Sequence, residues 1–367
     1  MLVVALLTAG CADTAYLLGS ATGHLKILQA ARPVDHWLVD DNTPPALKQR
    51  LLLAQDIRRF AVNSLQLPDN ASYQRFAQLP RRAVVWNVVA APAYSLTLKT
   101  WCFPVAGCVG YRGYFDEQEA KQEADALRAQ GLEASVYGVP AYSTLGWMNW
   151  LGGDPLLSTF IQYPQGELAR MIFHELAHQV VYVKDDTAFN ESYATAVERL
   201  GSAAWLASQA NPAMQAEYAH FDARRRAFRA LTGRTRQQLK EIYAEHDNSG
   251  SDGDKPPEAG GQADRKAAAY AEFRRAYAQL KQDWVGQGPY EAWVANANNA
   301  AFGALAAYDD WVTAFEALFN RQPGDWRAFH AAVRQLAELP RAERTQRLQQ
   351  LRADETANGA GPVRGRD

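Results

Sequence analysis

The sequence has no excess of one charge sign, no long apolar run and almost no cysteine. Lys and Arg number 38 against 40 Asp and Glu, a formal net charge of −2, so no global attraction to nucleic acid is expected. No uninterrupted apolar run reaches the roughly 18 residues of a membrane-spanning helix, which excludes a multi-pass membrane protein. Apolar residues make up 48% of the 367 residues, as in ordinary packed proteins, so disorder of the whole chain is not expected.

One of only three cysteines follows an apolar amino-terminal segment. Residues 1–10 (MLVVALLTAG) end in two small residues immediately before Cys11. This pattern resembles a bacterial lipoprotein signal, whose cysteine is acylated after cleavage. It lacks the usual basic residue before the apolar core. The alternative is a buried amino-terminal segment of a cytoplasmic protein that carries no lipid.

The other two cysteines, Cys102 and Cys108, enclose a short segment containing a proline and a glycine. A pair at this spacing can close a small disulfide loop, and an oxidising compartment would favour the bond. Two free buried thiols are the alternative. The pair alone offers too few ligands for a zinc site. One lipidated cysteine and one disulfide would account for all three residues.

The hydrophobic patterns predict an α+β protein that is mostly α-helical. Helical periodicity is found over 46–65 and 117–130, and strand patterns over 83–90, 109–115 and 133–139. From residue 167 onward almost every segment is helical. We therefore divide the chain into a signal-like segment (1–10), an α/β part (11–201), a helical part (202–352) with a flexible loop at 248–264, and a disordered tail (353–367).

The strongest chemical signal is FHELAHQ at residues 173–179, within an amphipathic helix. His174 and His178 are four residues apart, so both imidazoles leave the same helix face. Two imidazoles at this spacing can bind one tetrahedral zinc ion at about 2.0–2.1 Å. Glu175 follows the first histidine and can act as general base toward a water molecule. The motif predicts a single Zn²⁺ and metal-assisted hydrolysis of an amide.

A third ligand is expected from the helical stretch that follows the motif. The metzincin pattern fails, because Val181 and Lys184 stand where it requires glycine and histidine. FNESYATAVE, at residues 189–198, has helical periodicity, and the preceding residues can form a turn between antiparallel helices. Glu191 would then face the two histidines as the third ligand. The alternatives are Glu198, Asp185 and Asp186.

This arrangement resembles the gluzincin metallopeptidases, in which the two histidines of HExxH and a glutamate from a following helix bind zinc. The resemblance implies a zincin-like core, with a small sheet packed on the HExxH helix and a helical C-terminal part. The blocks WNVVAAP, WCFPVAGCVGYRGYF, AYSTLGW, DPLLST and DTAFNESYATAVE resemble a family of predicted bacterial aminopeptidases, often with lipoprotein signals. NNAAFGALAAYDDW (298–311) and LPRAER (339–344) look like further blocks of that family. It implies a zinc peptidase labelled as an aminopeptidase.

Two further roles have candidates of lower specificity. Gluzincins usually stabilise the tetrahedral oxyanion with a Tyr or His donor, for which the candidates are Tyr308, His220 and Tyr193. An aminopeptidase also needs an acid for the substrate's ammonium group, for which the candidates are Glu167 and Glu198. The segment AYSTLGW can be an edge strand that pairs with an extended substrate, or an ordinary core strand.

The sequence therefore predicts a lipid-anchored zinc peptidase that faces the periplasm of a bacterial envelope. Ala12 follows the cysteine, which favours the outer over the inner membrane. Its partners would be a peptide substrate and, through the lipid, a membrane, with no nucleic acid. The alternatives are a zinc endopeptidase, a cytoplasmic protease, and a non-catalytic metal-containing lipoprotein with a binding or chaperone role. The last of these would leave no open coordination position on its metal.

Overall fold

The computed structural model describes residues 16, 19–103, 107–141, 144, 152–248, 259–284, 290–306 and 310–359. Within these ranges the chain is mostly helical with small sheets, as predicted. No helix among them is both long and apolar enough to cross a membrane. The strands are β1 (Arg32–Pro33), β2 (Arg75–Ala77), β3 (Val85–Pro92), β4 (Trp101–Phe103), β5 (Gly107–Val109), β6 (Arg112–Tyr114), β7 (Leu132–Val139) and β8 (Leu156–Leu157).

The helices follow the same chain order and dominate the second half of the molecule. They are α1 (19–30), α2 (Val34–Val39), α3 (Pro45–Asn63), α4 (Glu117–Ala129), α5 (Gln165–Ala177), α6 (Thr187–Gln209), α7 (Pro212–Asn248), α8 (Ala259–Leu280), α9 (Glu291–Ala295), α10 (Asn299–Ala306), α11 (Val312–Asn320), α12 (Trp326–Glu338) and α13 (Arg341–Gly359). Residues Lys281–Asp283 form a 3₁₀ turn after α8.

Strand β3 is the centre of an antiparallel sheet of order β6-β3-β7. Successive side chains of a strand point to opposite faces. Val88 and Ala90 accordingly pack with α4, whereas Val89 and Ala91 pack with Ala300 of α10. Because helices cover both faces, β3 is buried along most of its length, as its apolar sequence predicts.

Helix α4 and its two flanking strands confirm the predicted strand–helix–strand unit. Asp116 caps the helix, because its carboxylate accepts hydrogen bonds from the N–H groups of Gln118 and Glu119 at 2.8 and 3.1 Å. Gly131, at φ +82°, provides the left-handed residue that leads into β7.

The largest core gathers helices α3, α5, α6, α11 and α12 with the small β1-β2-β8 sheet. Leu51, Ala54 and Ile57 are fully buried on one face of α3, at the spacing expected of an amphipathic helix. Phe76 of β2 and Ile172 of α5 belong to the same buried cluster. A small sheet and the FHELAHQ helix therefore share one core.

Asn299, which is fully buried, ties the α7–α8 hairpin to the end of β3. Its Oδ1 accepts hydrogen bonds from the hydroxyls of Tyr243 and Tyr270 at 2.7 and 2.8 Å. Its Nδ2 donates to the carbonyls of Pro92 and Ala93 at 3.0 and 2.8 Å. All side-chain bonding groups of this asparagine are thus satisfied across three segments distant in sequence.

Two predicted boundaries are wrong. Residues 259–264 of the predicted loop belong to α8. Residues 353–359 of the predicted tail are helical, because α13 is fastened by the buried Leu348 and Leu351 and continues for two further turns. Residues 249–258 of the loop and the segment 1–11, including Cys11, are not described.

Candidate metal centre

Helix α5 carries His174 and ends immediately before His178, α6 carries Glu191, and residues 178–186 join the two helices. Helix α6 begins at Thr187, slightly earlier than the sequence indicated, because Asp186 caps it by accepting the Phe189 N–H at 3.2 Å. The Asn190 side chain bonds both the N–H and the carbonyl of Val183, each at 2.8 Å. These contacts fix the path of the turn and the start of α6, and so the place of Glu191.

The structure brings His174, His178 and Glu191 together, as predicted. The two Nε2 atoms are 3.2 Å apart, and Glu191 Oε2 lies 3.4 Å from His174 Nε2 and 3.7 Å from His178 Nε2. Two ligands held about 2.1 Å from a tetrahedral ion are separated by roughly 3.4 Å. Three nitrogen and oxygen donors at these separations fit a single divalent ion.

Glu198 contacts His174 at Nδ1, the ring nitrogen that does not face His178 and Glu191. Its Oε2 is 3.0 Å from His174 Nδ1, and its Oε1 accepts a hydrogen bond from Arg170. A carboxylate on Nδ1 keeps the imidazole proton there and leaves the Nε2 lone pair facing the other donors. Burial raises the pKa of Glu198, but Arg170 and His174 outweigh it, so the carboxyl stays ionised. Glu198, predicted as an alternative ligand, orients His174 instead.

Glu167 is held by arginines. Its carboxylate accepts two hydrogen bonds from Arg225, at 2.9 and 3.0 Å, and lies 3.8 Å from Arg170. A continuous series of ion pairs therefore leads from Arg225 on α7, through Glu167 and Arg170 on α5, to Glu198 on α6. Both glutamates that the sequence offered for a substrate ammonium group are therefore engaged by arginines.

The two aspartates predicted as alternative ligands have other partners. Asp186, besides capping α6, accepts hydrogen bonds from Arg344 Nε and Nη2 at 3.0 and 2.7 Å. Asp185 accepts the N–H of Cys108 at 2.5 Å. Neither belongs to the three-donor group that the structure forms with the histidines. Of the four acids that the sequence offered as third ligand, Glu191 is the one that lies beside both histidines.

Glu175 is partly buried and lies among acidic groups. Burial raises its pKa to about 7, with His174 opposing and the carboxylates of Glu191 and Asp154 reinforcing the shift. Asp154 is itself buried and accepts hydrogen bonds from the N–H of Thr144 at 3.1 and 3.2 Å. Such a carboxyl gains and loses a proton near neutral pH, which suits a general acid–base group.

The two histidines differ in their surroundings. Burial opposes the charged form of His174, but its hydrogen bonds to the carboxylates of Glu191 and Glu198 prevail and raise its pKa to about 10. Burial lowers the pKa of His178 to about 4, despite the nearby Glu191. Burial acts to raise the pKa of Glu191, but the two histidines outweigh it, so the pKa falls below its ordinary value.

Of the three predicted oxyanion donors, the two that the structure describes are engaged or exposed elsewhere. Tyr193 is fully buried, and its hydroxyl bonds His330 Nδ1 at 2.8 Å. His220 is exposed on α7. Tyr308 is not among the described residues, and neither is most of the AYSTLGW segment.

The predicted disulfide is present. Cys102 of β4 stands opposite Cys108 of β5 and is bonded to it, which closes a hairpin. This disulfide hairpin (101–109) contacts the turn that joins α5 and α6. Gly107 has φ +76°, and a Cβ atom there would lie 2.4 Å from Asp185 Oδ1. Only glycine allows so close an approach.

The sequence reasoning missed Tyr111, which follows the disulfide hairpin. Burial raises the pKa of its hydroxyl above the ordinary range, and Glu191, Tyr182, Tyr137 and Glu175 add to the effect. The residue as a whole is 36% exposed. No sequence motif marked it, since it stands far from FHELAHQ along the chain.

The fold and the site together define a mostly helical α+β protein with three donors, between two consecutive helices, that could hold a metal ion. The model of the family described as "Putative aminopeptidase" matches residues 15–348, and the chain belongs to that family. Membership implies a peptidase. No curated protein and no solved structure matches the chain.

Proposed function

We propose that this protein is a zinc-dependent peptidase, most simply an aminopeptidase, with a zincin-like core of the gluzincin type. The observation that carries the proposal is the mutual spacing of the His174, His178 and Glu191 donors, with Glu175 next to them. Family membership supports peptide-bond hydrolysis. The small sheet that shares a core with α5 supports the zincin-like arrangement.

The donor set favours zinc among divalent ions. Two imidazoles and one carboxylate are typical ligands of catalytic zinc, which keeps a further position for water or substrate. Softer sites would contain thiolate, and Ca²⁺ or Mg²⁺ sites would be built from oxygen atoms. When bound, the ion supplies a Lewis acid that polarises a carbonyl and lowers the pKa of water.

Glu175 carries the proton in the proposed reaction. It accepts a proton from water as the water oxygen bonds to the carbonyl carbon of the substrate. It then passes that proton to the amide nitrogen as the C–N bond breaks, which releases an amine and a carboxylic acid. A pKa of about 7 lets one carboxyl perform both transfers near neutral pH.

Attack at the amino end of the substrate rests on the family description, since Glu167 and Glu198 are engaged by arginines. We also propose a lipid anchor on Cys11 and a periplasmic location in a bacterial envelope. The disulfide supports an oxidising compartment. Labelling with a radioactive fatty acid, compared between the wild type and Cys11→Ser, tests the anchor.

The proposal is tested with purified protein loaded with one equivalent of zinc. A library of peptides with free and with acetylated amino ends is incubated with it, before and after removal of the metal by a chelator. We expect cleavage of free-amino peptides, loss on chelation and recovery with added zinc. Cleavage of acetylated peptides would indicate an endopeptidase. Stoichiometric zinc without any cleavage would favour the non-catalytic alternative.

A further inference from the structure

Arg170 stands on the same face of α5 as the two histidines. Arg170, His174 and His178 follow one another at four-residue spacing, so Arg170 lies one helical turn before the first imidazole. The facing helix α6 carries Glu191 and Glu198, which are about two turns apart. A row of basic side chains on one helix therefore meets a pair of acidic side chains on the next.

The two sets of side chains alternate in space. Glu191 Oε2 lies 3.4 Å from His174 Nε2 and 3.7 Å from His178 Nε2. Glu198 contacts Arg170 with one oxygen, and its other oxygen lies 3.0 Å from His174 Nδ1. Each glutamate thus lies between two neighbours of the row on α5, and Arg170 is the end of that row away from His178.

Arg170 and His174 hold different oxygen atoms of the Glu198 carboxylate. Oε1 accepts the hydrogen bond from Arg170, and Oε2 faces the imidazole. A carboxylate held at one oxygen can still rotate about its last side-chain bond, whereas one held at both oxygens cannot. The Glu198 side chain is 4% exposed, so water cannot readily replace a lost partner. Arg170 therefore keeps Oε2 directed at His174.

The series of ion pairs continues into the helical half of the chain. Glu167, three residues before Arg170, lies 3.8 Å from Arg170 Nη1. Both oxygens of Glu167 accept hydrogen bonds from Arg225 of α7, at 2.9 and 3.0 Å. Because Arg225 engages both of these oxygens, Glu167 competes little with Glu198 for Arg170. The contact between Arg170 and Glu198 thus depends on how α7 is packed.

We propose that Arg170 is a positioning residue of the metal centre, which fixes Glu198 and through it the His174 imidazole, and that Arg225 supports it from α7. The inference rests on the proposed zinc-dependent function. Arg170 contributes no metal donor. It acts on zinc affinity, because an imidazole already held in its binding orientation loses less freedom when it binds an ion.

Arg170→Met removes the guanidinium and keeps a long, unbranched side chain that suits a helix. We expect zinc affinity to fall about 10-fold, as when a group that orients a ligating histidine is disturbed. Arg170→Lys can still donate to Glu198 Oε1 and should recover part of the loss. Competition with a chromogenic chelator measures the affinity without any need for turnover.

Arg236→Met on α7 is the matched control. The side chains of Arg236 and Arg170 are both 18% exposed, and Arg236 pairs with Asp310 at 3.1 Å, outside the series that leads to His174. We expect Arg236→Met to bind zinc as the wild type does. Equal affinities of Arg170→Met and Arg236→Met would overturn the proposal.

Arg225→Met tests the outer end of the series while Arg170 stays in place. Glu167 then loses its partner and draws Arg170 away from Glu198. We expect zinc affinity to fall by about two- to fivefold, the effect of weakening one partly exposed ion pair. If Arg170→Met does not fold, as judged by circular dichroism, Arg170→Lys and Arg225→Met decide instead, and wild-type affinity in both would overturn the proposal.

A double substitution separates action through Glu198 from a general loosening of α5. In Glu198→Ala the proposed link is already lost, so adding Arg170→Met should lower zinc affinity little further. The same fold-loss in both backgrounds would show that Arg170 does not act through Glu198. A wild type that binds no zinc would refute the proposed function itself, whereas zinc binding with equal affinity in all these arginine variants refutes this inference alone.

Discussion

His174 and Glu198 are joined by a contact of 3.0 Å between Nδ1 and Oε2, on the side of the imidazole opposite the metal donors. Glu198 is 3% exposed and is paired with Arg170, so the acid cannot swing toward solvent. The two carboxylates that flank His174 have different roles. Glu191 faces the proposed metal position, and Glu198 sets the tautomer and the ring orientation.

Replacement of these two glutamates should separate a ligand from an orienting group. Glu191→Ala removes one of three donors, and we expect the larger loss of zinc affinity. Glu198→Ala keeps all three donors and should weaken zinc binding by about 10–100-fold, as is usual for carboxylates that orient ligating histidines. Competition with a chromogenic chelator measures both. A larger effect at Glu198 would exchange the two roles.

Glu175→Gln should abolish hydrolysis while leaving the metal in place. The amide cannot accept the proton, and the loss of a general base lowers the rate by roughly 10²–10⁴-fold. Zinc content, measured by elemental analysis, should match that of the wild type, because Glu175 is not in the donor group. Glu119→Gln, an exposed substitution on α4, is the control. Retained turnover in Glu175→Gln would remove the general-base assignment.

The metal donors were predictable from sequence because their geometry is mostly local. Four-residue spacing fixes two imidazoles on one face of α5, and helical periodicity places Glu191 on the returning helix. The contact of the disulfide hairpin with Asp185 was not predictable, since the Cys108–Asp185 bond joins segments distant in sequence, which no local pattern encodes. The same holds for Asn299, whose four side-chain partners come from distant segments.

Arg344 should stabilise the fold by holding α13 against the start of α6. It forms a buried ion pair with Asp186 at the start of α6, with side chains 5% and 11% exposed. Removing one partner of a buried pair typically costs about 3–5 kcal/mol, so we expect Arg344→Ala to lower the free energy of unfolding by that order. Arg321→Ala breaks an exposed pair with Asp354 and should cost about 1 kcal/mol or less. Urea denaturation compares them, and equal losses would contradict the argument.

His330 should make the protein less stable in mild acid. Its Nε2 donates to the Leu65 carbonyl at 2.9 Å and its Nδ1 accepts from the Tyr193 hydroxyl at 2.8 Å, which suits the neutral ring. Burial lowers its pKa from 6.5 to about 4. As pH falls below 6.5 the unfolded chain binds a proton that the folded protein refuses, so stability present above that pH is progressively lost, at up to about 1.4 kcal/mol per pH unit.

His330→Gln removes this titration. The stability difference between the wild type and His330→Gln should therefore shrink by about 2 kcal/mol between about pH 6.5 and about pH 5, and stay constant above about pH 8. His36→Gln, at an exposed histidine of α2, should show no such change and serves as the control. Urea unfolding at a series of pH values measures the differences. A gap between wild type and His330→Gln that does not vary with pH would mean that His330 has the same pKa in the folded protein as in the unfolded chain.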